Sequence, residues 1–105
     1  MRFLNSILIE GNLTAAPSSI TGADGLTRCS FCLCSGDDAP SVPIITYGKL
    51  ANRCNELLDK GSSIRVVGRI ARDLEASAAT ESLRLHVVAE HVEIKGLPRS
   101  YSEVA

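Results

Sequence analysis

Tryptophan is absent from this chain, and tyrosine and phenylalanine occur twice each, so a core built on large aromatic rings is excluded. Isoleucine, leucine, valine and alanine must fill the interior instead. Long apolar runs are missing too, and none approaches the roughly 18 residues of a membrane span. Near the N-terminus the apolar run ends at Glu10, too soon for a secretion signal, and no small-residue cleavage site follows. Without such a signal, the sequon at Asn12-Leu13-Thr14 is a chance match, and the chain reads as cytoplasmic. Charge of one sign is not in excess: 11 basic and 12 acidic side chains leave a net charge of −1. That is not the global basic footprint of many nucleic-acid binders, so a charged partner must meet a local patch. No nucleophile elbow, P-loop or HExxH stretch occurs. The paired Asp37 and Asp38 fall in a turn, where aspartate serves backbone hydrogen bonding. Neither an enzyme nor a cofactor is expected.

What is present suits one ordinary domain. The chain has 105 residues, 45% of them hydrophobic, enough for a single core. Residues 1–96 read as that domain and residues 97–105 as a short polar tail. Four cysteines stand at 29, 32, 34 and 54, three of them in CSFCLC. In a strand, Cys29 faces one way while Cys32 and Cys34 face the other, so the three cannot converge on one ion. They read as reduced thiols acting as small apolar residues, with no metal expected.

Alternation predicts a first strand over residues 5–13, bulged or bent at Gly11. A loop or irregular edge over 16–25 follows, then a second strand over 26–34. The second strand sets Cys29, Phe31 and Leu33 on one face and Arg28, Ser30 and Cys32 on the other. A third strand covers 42–47, and then comes YGKLANRCNELLDKGS. There Leu50, Cys54, Leu57 and Leu58 form one face of a short helix, with Lys60-Gly61 as its cationic, left-handed stop. So short a helix is marginal alone, and its apolar stripe must pack on something; plugging one end of a small barrel is the natural role. A fourth strand over 63–70 points Ile64, Val66 and Ile70 inward and bends at Gly68. After a polar loop over 72–81, a fifth strand covers 83–95, its parity slipping at Glu90-His91 as a β-bulge would make it. Three strands, one helix and two strands describe an all-β, five-stranded Greek-key barrel of the OB-fold type, with its helix between strands three and four.

The segments ILIEGNLT, PIITYGKLANRCNELLDKGSSIRVVGRI and LHVVAEHVEIKG, spread over residues 5–96, resemble the bacterial single-stranded DNA-binding proteins. The YGKLAN, LLDKGS and VVGRI block is the specific part. The short, tail-less primosomal replication protein N, derived from the same family, is similar as well. The resemblance implies non-catalytic binding of single-stranded DNA by a homo-oligomer, dimer or tetramer, in replication, recombination or repair. It implies a cytoplasmic, nucleoid-associated place, replication or restart proteins as further partners, and no membrane. Three departures accompany it. Ser41, and Leu74 with Glu75, stand where the family carries aromatics; SGDDAPS replaces a long basic hairpin; the acidic C-terminal tail is missing.

Such binding needs cations for phosphates and aromatic faces for bases. The candidate DNA-binding residues are Tyr47, Lys49, Lys60, Arg28, Arg65, Arg69, Arg72 and Arg84. Each arginine can equally be a solvated surface side chain, and Tyr47 a barrel-edge packing residue. Phe31 reads as core, and His86 and His91 as surface or edge residues. Outward Val67 and Val88 point to contact between copies. Two other readings stand beside DNA binding: a restart accessory acting mainly through protein partners, and a structural OB oligomerisation module.

Overall fold

The computed structural model describes residues 3–36, 39–72 and 85–96. Six strands and one helix follow in the order β1 (Ile7–Leu13), β2 (Ser18–Thr21), β3 (Thr27–Cys34), β4 (Ser41–Tyr47), α1 (Gly48–Leu57), β5 (Ser63–Arg72) and β6 (Leu85–Gly96). The sheet runs β1-β5-β6-β4-β3-β2, and a further β1–β3 pairing through Asn12 opposite Cys34 and Leu13 opposite Leu33 closes it. Five strands therefore make a ring, β1-β5-β6-β4-β3, and β2 lies outside it, laddered to β3. All ring pairings are antiparallel except β4–β6, which are parallel at Ile44 opposite Val87 and Ile45 opposite Val88. This is the OB-fold, with α1 between the third and fourth strands of the ring.

The core follows from the period of two. Cys29, Leu33, Ile44, Ile64 and Val66 have no exposed surface, and Phe31 and Val87 join them inside. Helix α1 brings Ala51 and Cys54 into the same cluster, and Leu58 follows just beyond its end. That apolar edge is what holds a ten-residue helix which would not persist alone. The buried Thr46 hydroxyl donates to the Cys29 carbonyl at 3.0 Å, so β4 keeps a polar atom inside without cost.

Several local expectations change. Leu57 is 46% exposed, whereas Ala51 is buried. The reason is that Leu58 is already extended, so the helical spacing stops one residue before it. The helix also ends before Lys60-Gly61. Gly61, at φ 89°, belongs to the Asp59–Ser62 turn, and its N–H donates to the Leu13 carbonyl at 2.9 Å. The Lys-Gly-Ser stretch thus ties the helix exit to β1 rather than capping the helix. No bulge occurs at Gly11. The β1–β5 ladder runs through it unbroken, and a Cβ there would come within 2.6 Å of the Cys34 carbonyl oxygen. The bulge expected in the last strand is present in β6, where the pairs Val67–His91 and Gly68–Ala89 skip Glu90, and a second shift between Ser63–Gly96 and Ile64–Ile94 skips Lys95. Ile70 keeps the inward parity opposite Val87 yet is 41% exposed, because β1 stops pairing with β5 at Gly68 and leaves it uncovered. Finally, SSIT within the expected loop forms β2, four exposed residues laddered to β3 through the turn at Gly22–Leu26.

Candidate nucleic-acid interface

Because β3 sends Cys29, Phe31 and Leu33 inward, Arg28, Ser30 and Cys32 face out. The register places Ile20 of β2 and Tyr47 of β4 on either side of Arg28. Tyr47 is 41% exposed and Ile20 is 66% exposed. Leu26 shares the outward parity of Arg28, and its Cδ1 lies 3.8 Å from where a Cβ on Gly48 would stand. Tyr47 is the last residue of β4 and the residue before α1, held extended at φ −131° and ψ 153°. Lys49 follows two residues later, exposed on the first turn of the helix. The next outward row links Ser18, Ser30, Ile45, Val88 and Arg69 across five strands. Among the described residues, no carboxylate pairs with Arg28, Lys49 or Arg69.

Arg65 sits differently. On the outward face of β5 it lies between Glu10 of β1 and Glu93 of β6. Its Nη2 stands 2.9 Å from Glu10 Oε1 and its Nη1 3.4 Å from Glu93 Oε2, while Lys95 Nζ reaches Glu10 Oε2 at 3.0 Å. Hydrogen bonds from Lys95 and then Arg65 hold the Glu10 carboxyl below its usual range, and the bond to Glu10 raises Arg65 in turn. Lys60 is exposed in the turn after α1, and Arg72 is exposed at the end of β5, opposite Leu85. Arg84 lies outside the described residues, as do Asp37, Asp38, Leu74, Glu75 and the tail. Ile20 and Leu26 escaped the sequence reading; two branched apolar residues inside SSITGADGL were the only signal.

The thiols divide as parity requires. Cys29 and Cys54 are buried, and burial, helped by the neighbouring Cys29, pushes Cys54 up to about 11. Cys32 and Cys34 are half-buried on the outward side, and all four are free. Among the described residues no group of His, Cys, Asp or Glu is arranged to hold a metal, and no helix is long and apolar enough to cross a membrane.

The single-strand binding protein family model matches residues 4–95. The chain belongs to that family. Single-stranded DNA-binding protein 3 of Clostridium acetobutylicum is 29% identical over 100 residues, covering 86% of this chain and 69% of the relative. The single-stranded DNA-binding protein of Thermus aquaticus superposes with a TM-score of 0.76 at 24% identity, over 89% of this chain. A deletion mutant of the Thermus protein gives 0.74 at 23% identity, over 91% of this chain. This single-strand binding family member spans only 41% and 44% of those two chains, and at such identities they speak for the fold.

Proposed function

We propose that this family member binds single-stranded DNA without catalysis, through the outward face of β2, β3 and β4. The observation that carries the reading is the row Ile20–Arg28–Tyr47, an aromatic face beside a guanidinium with no carboxylate partner among the described residues. Tyr47 offers a stacking surface for a base, worth about 1–3 kcal/mol. Arg28, Lys49 and Arg69 offer cations to the phosphates on either side, Lys60 and Arg72 extend the same role, and Arg84 stays a candidate from the sequence alone. Arg65 belongs to the carboxylate network instead.

Binding is tested by fluorescence titration with oligo-dT across a salt series. Affinity falls as salt rises, with a slope of roughly −0.7 per phosphate neutralised. Absence of binding at low salt ends the reading.

The chain assembles as a homo-oligomer, dimer or tetramer. Leu8, 69% exposed, stands beside Val67 on the outer face of β1 and β5, and β1 pairs with β3 only at its last two residues, leaving most of one edge open. Exposed apolar side chains beside an open edge suit contact between copies. Light scattering measures it. We further propose work in replication, recombination or repair, with restart proteins as partners, in the cytoplasm beside the nucleoid; the resemblance to the family supports this reading. A pull-down that retains such proteins after nuclease treatment separates partner-driven recruitment from shared DNA.

A further inference from the structure

Along the outward face of β3 and β4, cross-strand pairs succeed one another away from Tyr47. Arg28 opposes Tyr47, Ser30 opposes Ile45, and Cys32 opposes Pro43. The second and third pairs do not make a flat sheet surface. Together with Ala15 and Ala16 of the β1–β2 connection they line a depression of about 340 Å³. Among the described residues no charged side chain lines it, and Ile45 is only 6% exposed. Successive outward pairs lie about 7 Å apart along a strand, so the depression begins one step beyond the tyrosine ring.

We infer that this depression is a second base subsite, taking the unpaired base next to the one stacked on Tyr47. The inference rests on the proposed DNA binding and adds a place to it. A flat heterocycle suits an uncharged hollow of that size, with apolar walls for its faces and the Ser30 hydroxyl to meet its polar edge. The occupant follows from continuity. A strand whose phosphate lies on Arg28 and whose base lies on Tyr47, and which continues along β3 and β4, puts its neighbouring nucleotide over Ser30 and Ile45. The chain has few aromatics for stacking, and a hollow that covers a base from the sides replaces part of the missing area.

Cys32 on the wall is the reporter. In Cys34→Ser, Cys32 is the one cysteine that is not buried, since Cys29 and Cys54 are 0% and 3% exposed. The rate of Cys32 alkylation by iodoacetamide is measured alone, with saturating oligo-dT, and with a deoxyribose-phosphate oligomer that lacks bases. Oligo-dT slows the reaction roughly tenfold and the abasic strand does not, at equal occupancy. Independently, Ala16→Leu, an exposed position at the rim, fills the hollow. It weakens oligo-dT roughly threefold, about 0.65 kcal/mol, with the salt slope unchanged and abasic binding untouched. Equal protection by both strands, or none by a bound oligo-dT, overturns the subsite and leaves the wider reading intact. Failure of the unmodified chain to bind oligo-dT at low salt overturns both.

Discussion

Two arginines of this chain stand at the centre of outward rows of three, and their neighbours differ in kind. Arg65 lies between Glu10 and Glu93, whereas Arg28 lies between Ile20 and Tyr47. A phosphate approaching Arg65 meets two carboxylates already bonded to it, and must repel or displace both. A phosphate approaching Arg28 meets a cation with no partner among the described residues and a ring beside it. The net charge of −1 hides this difference, because carboxylates gather around Arg65 and Lys95 while none pairs with Arg28 among the described residues. What separates Arg28 from Arg65 is cross-strand company, and that is a matter of register.

Register can be broken at Gly68, and the largest effect is expected there. A Cβ at this position would run into the Val88 carbonyl where the β6 bulge brings the two backbones together. Gly68→Ala should cost about 3 kcal/mol or more in urea unfolding, because the new methyl meets main-chain atoms that side-chain repacking cannot move. Unchanged stability would mean that β5 and β6 can slide, and both rows would then lose their definition.

The comparison sharpens with Tyr47→Ala, which should weaken oligo-dT by about 1–3 kcal/mol while Tyr47→Phe restores most of the loss. Equal loss in both variants would make the ring a packing element instead of a stacking one. Arg28→Ala should then lower the magnitude of the salt slope by about 0.7, the share of one phosphate on a single strand. Arg65→Ala should leave the slope where it was. A reversed outcome would move the DNA to the β1–β5–β6 side.

The barrel was legible because its strands alternate cleanly and its helix shows a short apolar stripe. Even the β6 bulge showed itself, since Val87 and Ala89 share one parity and Val92 the other. What escaped depended on partners distant in sequence. β2 has four exposed residues and no alternation to detect; only the ladder to β3 makes it a strand. Ile70 has the right parity but lies beyond the reach of β1, and no periodicity encodes where a neighbour ends. Likewise, Arg28 and Arg65 are indistinguishable as letters in alternating segments. Their separation required knowing that Tyr47 and Glu10 come to lie beside them, across 19 and 55 positions of chain.

The smallest effect concerns the carboxylate that occupies Arg65. Glu10 titrates below the usual 4.5 because Lys95 and Arg65 donate to its ionised form. A carboxyl with a lowered native-state value adds stability above its unfolded-state value, and loses that contribution as pH falls through the native one. Glu10→Gln should therefore unfold slightly earlier than the unmodified chain near neutrality, and the gap should close below pH 4.5. All groups involved are exposed, so high salt should narrow the gap as well. The same variant frees one side of Arg65. If oligo-dT affinity stays unchanged when it does, the β1–β5–β6 face is set apart from the DNA; a clear gain would show that Glu10 had been holding a phosphate contact in check.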